Sequence, residues 1–412
     1  MDSISIVMLV IGGISILFGF IYGIKRGLSK SIVRIIIVAI CAIAAFVMRE
    51  QITNEVLNYP IDEGKTIIDI ISESIISGEN PNMDGLVDIV INMVKMVVQI
   101  ITFILTFLLF KVVSMIAYWI ITRIFGMKKP NSRLLGGLVG MLQGVLIIAC
   151  VLGPVNGLIV NVSSLIDSLS KVEVDGSKIV DDNTISVLEG SGLLVYKDSP
   201  VSEVYGVLGN GIYNEISKVK DENGNVIDIK SQIEAINGGV QMADTLLDFT
   251  NVDLSNGFTS EVKDELVNVF NELDEIKNGM SEESVQELDT LIKDVIAPLV
   301  GETIDLPIDL NEINFAEVDF KNEGEIIETY FDLMERSENE GELDEDLVIE
   351  EVVTSLSDST LILPILTQVV DDLPEDQKPT FTEEQKEKIE EVINNLENKQ
   401  NVDKLKEFFG IE

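Results

Sequence analysis

Long apolar runs fill most of the first 160 positions, joined by two short basic turns and one longer, net acidic stretch over 49–95, and later apolar runs are all much shorter. Ile4–Ile24 carries no charge and reaches the roughly 20 residues needed to cross a hydrocarbon core of about 30 Å as a helix. A cleaved leader would need a basic segment ahead of this run. Here the positive residues Lys25, Arg26 and Lys30 follow it, so it reads as a retained helix. Ser31–Met48 forms a second span, with Arg34 close enough to the basic turn to snorkel. A long helix is expected over Leu86–Phe125, its lipid-spanning part at Met96–Ile121. A fourth span runs from Leu134 to Val160, with Gly153-Pro154 expected to kink it.

Past 160 the pattern changes to apolar residues at three- and four-residue spacing between acidic positions, which predicts helices over Glu261–Ile276, Glu282–Val300, Glu325–Met334 and Leu347–Leu356. Ser199-Pro200 reads as an N-cap followed by Pro at the first helical position, and Thr382-Glu-Glu-Gln385 as a capping box. Asn223-Gly224 centres a predicted hairpin over Val219–Asp228, and Ser337–Asp346 reads as a loop. The runs Leu291–Val300 and Leu361–Val370 are too short to span and read as buried core. The expected fold is therefore an all-α polytopic membrane protein followed by a mostly helical acidic soluble domain with a small β-hairpin. The expected domains are 1–165, with spans at 4–24, 31–48, 96–121 and 134–160, and 166–412, subdivided near 310–340.

Charge sharpens this division. Residues 1–160 hold 12 Lys and Arg against 10 Asp and Glu, whereas 161–412 hold 17 against 60, so the whole chain's −41 belongs to the second part. Such a segment repels phosphate, which argues against nucleic acid as a partner. The basic turns between spans 1 and 2 and between spans 3 and 4 are expected to stay cytoplasmic. Both termini then lie outside a bacterial cell membrane, with the acidic region facing an envelope protein or cell-wall partner.

Candidate chemistry is sparse. The chain has no histidine, which removes the Ser-His-Asp triad and the commonest metal ligand. Cys41 and Cys150 both sit in apolar runs and suggest no disulfide framework. Asp221, Asn223 and Asn225 alternate as in a calcium loop, but Gly224 is misplaced and Gln232 stands where such a loop needs glutamate. No cofactor is expected. Lys111 is the one charge deep inside a span, 12 residues or about 18 Å before Arg123. Lys111 with Gln143 is the candidate intramembrane polar site, while Lys95 and Gln99 near the outer boundary carry less weight. Gly19, Gly23 and Gly27, and likewise Gly136, Gly140 and Gly144, recur every four residues and form small-residue stripes for helix packing, within one chain or in a homo-oligomer.

The segments Tyr22-Gly-Ile-Lys-Arg-Gly-Leu28 and Asn131-Ser-Arg-Leu-Leu-Gly-Gly-Leu-Val-Gly-Met-Leu-Gln-Gly-Val-Leu-Ile-Ile148 resemble the colicin V production protein family over the first 165 residues. The shared features are Arg26-Gly27 after the first span, then Arg133, Gly136, Gly140 and Gly144 opening the fourth. Gln143 stands where members often carry arginine. The resemblance implies a non-enzymatic multi-pass membrane protein tied to toxin production or export and to envelope maintenance, with no catalytic residue to transfer. Two other readings remain from the residues alone: a small oligomeric channel or transporter lined by Lys111 and Gln143, and a membrane-anchored envelope hydrolase using paired carboxylates.

Overall fold

The computed structural model describes residues 2–61, 64–76, 84–124, 132–170, 173–174, 177–178, 182–220, 224–250, 259–293, 313–340, 344–372, 378, 380–396 and 401–411. Four of its helices are long and apolar enough to cross a membrane: α1 (Ser3–Arg26), α2 (Leu28–Leu57), α4 (Asp84–Ile124) and α5 (Arg133–Leu169). Much of their surface is exposed aliphatic side chain, as at Ile40, Ile43, Leu105 and Leu109, which suits contact with lipid. The chain is a membrane protein of this four-helix kind. Asp2 caps α1 by accepting from the Ser5 amide at 2.6 Å. Gly27 turns α1 into α2 with φ 75°, a conformation that L side chains rarely adopt.

Within the bundle α5 packs on α1 and α2, and α2 packs on α4. Val38, Ala45, Phe103, Phe107 and Cys150 form its buried centre. The α-helix of α5 continues without a break through Pro154. Between α2 and α4 lies the short helix α3 (Ile67–Ile76).

The chain divides into two compact units, Met1–Asn237 and Gly238–Glu412. The first unit therefore runs well past the expected boundary at 165. The reason is that α7 (Leu193–Tyr196) and α8 (Pro200–Ile216), which follow the two-residue strands β1 (Glu173–Val174) and β2 (Ser177–Lys178) and helix α6 (Asp182–Ser191), pack directly on α5 and α1. The Tyr205 hydroxyl donates to the Met8 carbonyl of α1 at 2.8 Å, and Tyr213 stacks its ring where Gly157 of α5 leaves room. Ser199 caps α8 as its position before Pro200 predicts. The expected hairpin pairs β3 (Lys218–Lys220) with β4 (Val226–Asp228), Val219 opposite Ile227.

Helix α9 (Ile229–Thr250) leads into the second unit, which continues with α10 (Ser260–Asn278), α11 (Glu282–Leu291), α12 (Phe320–Glu340), α13 (Glu345–Ser357), α14 (Ile362–Asp372), α15 (Glu383–Asn395) and α16 (Val402–Phe408). Val262, Leu266 and Phe331 bury the α10–α12 contact, and Lys263 bridges it to Asp332 at 2.6 Å. A larger core gathers Ile326, Val353, Leu363, Ile389, Leu405 and Phe409. The Thr382–Gln385 capping box is formed in full. The expected loop over Ser337–Asp346 is mostly absorbed into helix: α12 runs to Glu340 and α13 starts at Glu345, because Asp344 caps α13 and Arg336 joins Glu351 at 2.9 Å. Residues 294–312, which hold most of Leu291–Val300 and the start of the expected subdivision near 310–340, lie outside the described residues.

Candidate functional site

The glycine stripes meet. A β-carbon on Gly19 would overlap the carbonyl oxygen of Gly140, and one on Gly23 would overlap that of Gly136. In return, a β-carbon on Gly136 would lie 2.6 Å from the Gly23 carbonyl oxygen and 2.7 Å from the α-carbon of Gly27. Gly144 comes against the backbone of Ser15 and Ile16. All six predicted positions thus line one seam, in which α1 and α5 approach backbone to backbone. Small residues permit this in lipid, where helix association depends on van der Waals contact because lipid tails are as apolar as leucine. Gly153 supplies a second close crossing, against Gly209 of α8, which its reading as a kink did not foresee.

Lys111 and Gln143 are both within the bundle, Gln143 buried on α5 and Lys111 half-buried on α4. No hydrogen bond joins them among the described residues. The charge within electrostatic reach of Lys111 is instead Arg34. Arg34 does not snorkel: it is 4% exposed, with its Nη1 directed at the Ser114 carbonyl of α4 at 3.4 Å and its guanidinium 5.4 Å from the centre of the Tyr118 ring. The sequence signal for this was an arginine at a position that a 3.6-residue period places beside Ile37, Val38 and Cys41 on the buried face of α2.

Polar groups at the opposite end of the bundle serve attachment. Gln99, given little weight from its position, is buried and donates to the carbonyls of Ile216 at 2.8 Å and Lys218 at 2.9 Å, tying α4 to the start of the hairpin. Arg49 lies over the Phe46 ring and donates to the Glu215 carbonyl at 2.9 Å. Tyr196 is fully buried and donates to Asn156 of α5 at 2.5 Å. Burial pushes its hydroxyl up to about 12, with Tyr205 and Asp2 adding to the shift. These bonds satisfy groups that a strictly apolar helix end would leave without partners.

In the second unit the most enclosed polar feature is Glu323 of α12. It accepts from the Ser359 hydroxyl, the Thr360 hydroxyl, and the backbone amides of Thr360, Leu361 and Ile362. These amides open α14, so the carboxylate acts as a helix cap delivered from another helix. A half-open groove of about 470 Å³ between α13 and α15 is lined by Glu350, Asp358, Lys388, Glu391 and Asn395, with Lys388 already drawn to Glu391 and Asp346. Among the described residues no group of three or more Cys, Asp or Glu side chains is placed to hold a metal ion. Of the calcium-like trio only Asn225 is a described residue.

No protein-family model matches the chain, and neither a curated protein nor a solved structure matches it.

Proposed function

We propose that the protein is a non-enzymatic integral membrane scaffold of the colicin V production type, which displays its acidic helical region outside a bacterial cell and recruits an envelope protein or cell-wall partner there. The family part of this reading rests on Tyr22–Leu28 and Asn131–Ile148 alone. The observation that carries the scaffold reading is the division of labour within one chain. The first unit is a bundle closed by the α1–α5 seam, while Gly238–Glu412 is a compact unit whose polar side chains are engaged mainly in capping and ion pairs. The two basic turns between spans support an outside location for the acidic region through the positive-inside rule.

The test is crosslinking of the full chain in its native membrane, with mass-spectrometric mapping of lysines beyond 237. Recurrent crosslinks to one envelope component support the scaffold. Crosslinks confined to the chain itself, or an acidic region that resists external protease while an exposed control is cut, would overturn it. A channel or transporter is the second reading, and the observation favouring it is the pair Arg34, buried on α2, and Lys111, half-buried on α4, in spans whose sequence holds no Asp or Glu.

A further inference from the structure

Arg34 stands seven residues past the turn at Gly27, about 10 Å into the bundle. Its direct hydrogen bond to the Ser114 carbonyl is long at 3.4 Å, and its Nε is buried with no partner among the described residues. Ser114 lies three residues after Lys111, so both belong to one face of α4, and the Ser114 hydroxyl donates to the Lys111 carbonyl at 2.7 Å. One turn further along that face, the Tyr118 ring has Arg34 at 5.4 Å and Arg26 at 5.5 Å from its centre. Arg26, Arg34 and Lys111 therefore form a series of cations leading inward from the α1–α2 turn.

Nothing in the spans neutralises this series. The sequence has no Asp or Glu from Ser3 to Met48, from Ile89 to Ile124, or from Arg133 to Ile166. Like charges in a medium of low dielectric repel strongly, and a buried guanidinium with an unsatisfied donor adds a desolvation cost. A mobile anion removes both penalties at once, whereas a lipid-facing lysine alone has the simpler option of reaching the interface.

We propose that the α2–α4 face around Arg34, Ser114 and Lys111 binds one small inorganic anion of the chloride class. The buried donor left without a partner among the described residues is the Arg34 Nε, with the Lys111 ammonium half-buried on the α4 face that carries Ser114. A monatomic anion is satisfied by so few donors, while a tetrahedral phosphate calls for more. The site is independent of the scaffold reading, since a bound anion requires neither transport nor an external partner.

The test uses the purified full chain in nanodiscs of neutral lipid, with gluconate replaced by chloride at constant ionic strength. Chloride is expected to raise the unfolding midpoint of the wild type by a few degrees, through preferential binding to the folded state. The rise should vanish in Arg34→Gln and shrink in Lys111→Met, while Lys95→Met keeps it. Should Arg34→Gln fail to fold, Lys111→Met decides the matter. An equal rise in wild type and both variants, or none in the wild type, overturns the site. So does a shift produced only by added phosphatidylglycerol, which would assign the cations to a lipid headgroup.

Discussion

Gly153 of α5 and Gly209 of α8 cross so closely that a β-carbon on either would overlap the α-carbon of the other. The contact is backbone on backbone, so no side-chain rotation relieves it. Gly209→Ala should destabilise the first unit by about 1–3 kcal/mol, the usual range for overpacking. Gly211, two residues on, has open space around its β-position. Gly211→Ala should instead be neutral or stabilising by up to about 1 kcal/mol through helix propensity. Thermal unfolding in one detergent compares the two, and a similar effect of both would remove the crossing as the cause.

The α1–α5 seam makes the same kind of demand over a longer contact. Gly140→Leu should cost more than Gly140→Ala, because the nearest atoms are the carbonyl and α-carbon of the Gly19–Gly23 stretch. Gly13, on the same helix α1, has no heavy atom within 4 Å of its β-position. Gly13→Leu is the matched control and should leave insertion and unfolding unchanged. Thermal unfolding in one detergent reads both: the midpoint should hold in Gly13→Leu and fall in Gly140→Leu.

Glu323 organises the start of α14 from a distance of about forty positions in the chain. Replacing it by Gln keeps the shape but removes the charge, and turns part of the acceptor into a donor facing other donors. The expected cost is about 3 kcal/mol, the scale of unsatisfied groups around a buried charge. Hydrogen exchange should rise at Thr360, Leu361 and Ile362, whose amides the carboxylate accepts. Glu325, exposed and 3.9 Å from Lys321, should tolerate the same change with almost no effect.

Tyr196 sets an alkaline limit. Its folded value, raised to about 12 by burial, exceeds the ordinary tyrosine value near 10. The folded chain therefore keeps a proton that the unfolded chain releases between these values. The stability it contributes is complete below pH 10 and declines as pH rises through 12. Tyr196→Phe should flatten this decline. It should also lower stability at neutral pH by about 1–2 kcal/mol, because Asn156 loses its buried donor. Unfolding measured from pH 8 to pH 11.5 in both proteins checks slope and offset together.

The glycine positions were legible because a four-residue repeat in an apolar run has few other physical meanings, and which helix each stripe meets followed only from packing. Arg34 shows the opposite case. Its distance from the basic turn is compatible with snorkelling, and only the neighbouring α4, with Ser114 and Tyr118 at that level, turns it inward. Gln99 depends on distant partners in the same way. Its partners, the carbonyls of Ile216 and Lys218, lie over a hundred positions away, beyond the reach of any local pattern.

By itself the sequence determined the four long apolar helices, the acid-rich helical part, the N-caps at Ser199 and Thr382 and the strand pairing within Val219–Asp228, because hydropathy, capping and turn chemistry act over a few neighbouring residues. Tertiary structure alone decided that residues beyond 165 close onto the bundle, that Gly153 admits α8, that Glu323 caps a helix not its own, and that Arg34 turns inward against Ser114 and Tyr118. Each of these depends on which backbone approaches which. Close approach is settled by steric fit between elements far apart in the chain, a quantity that no single stretch of residues carries.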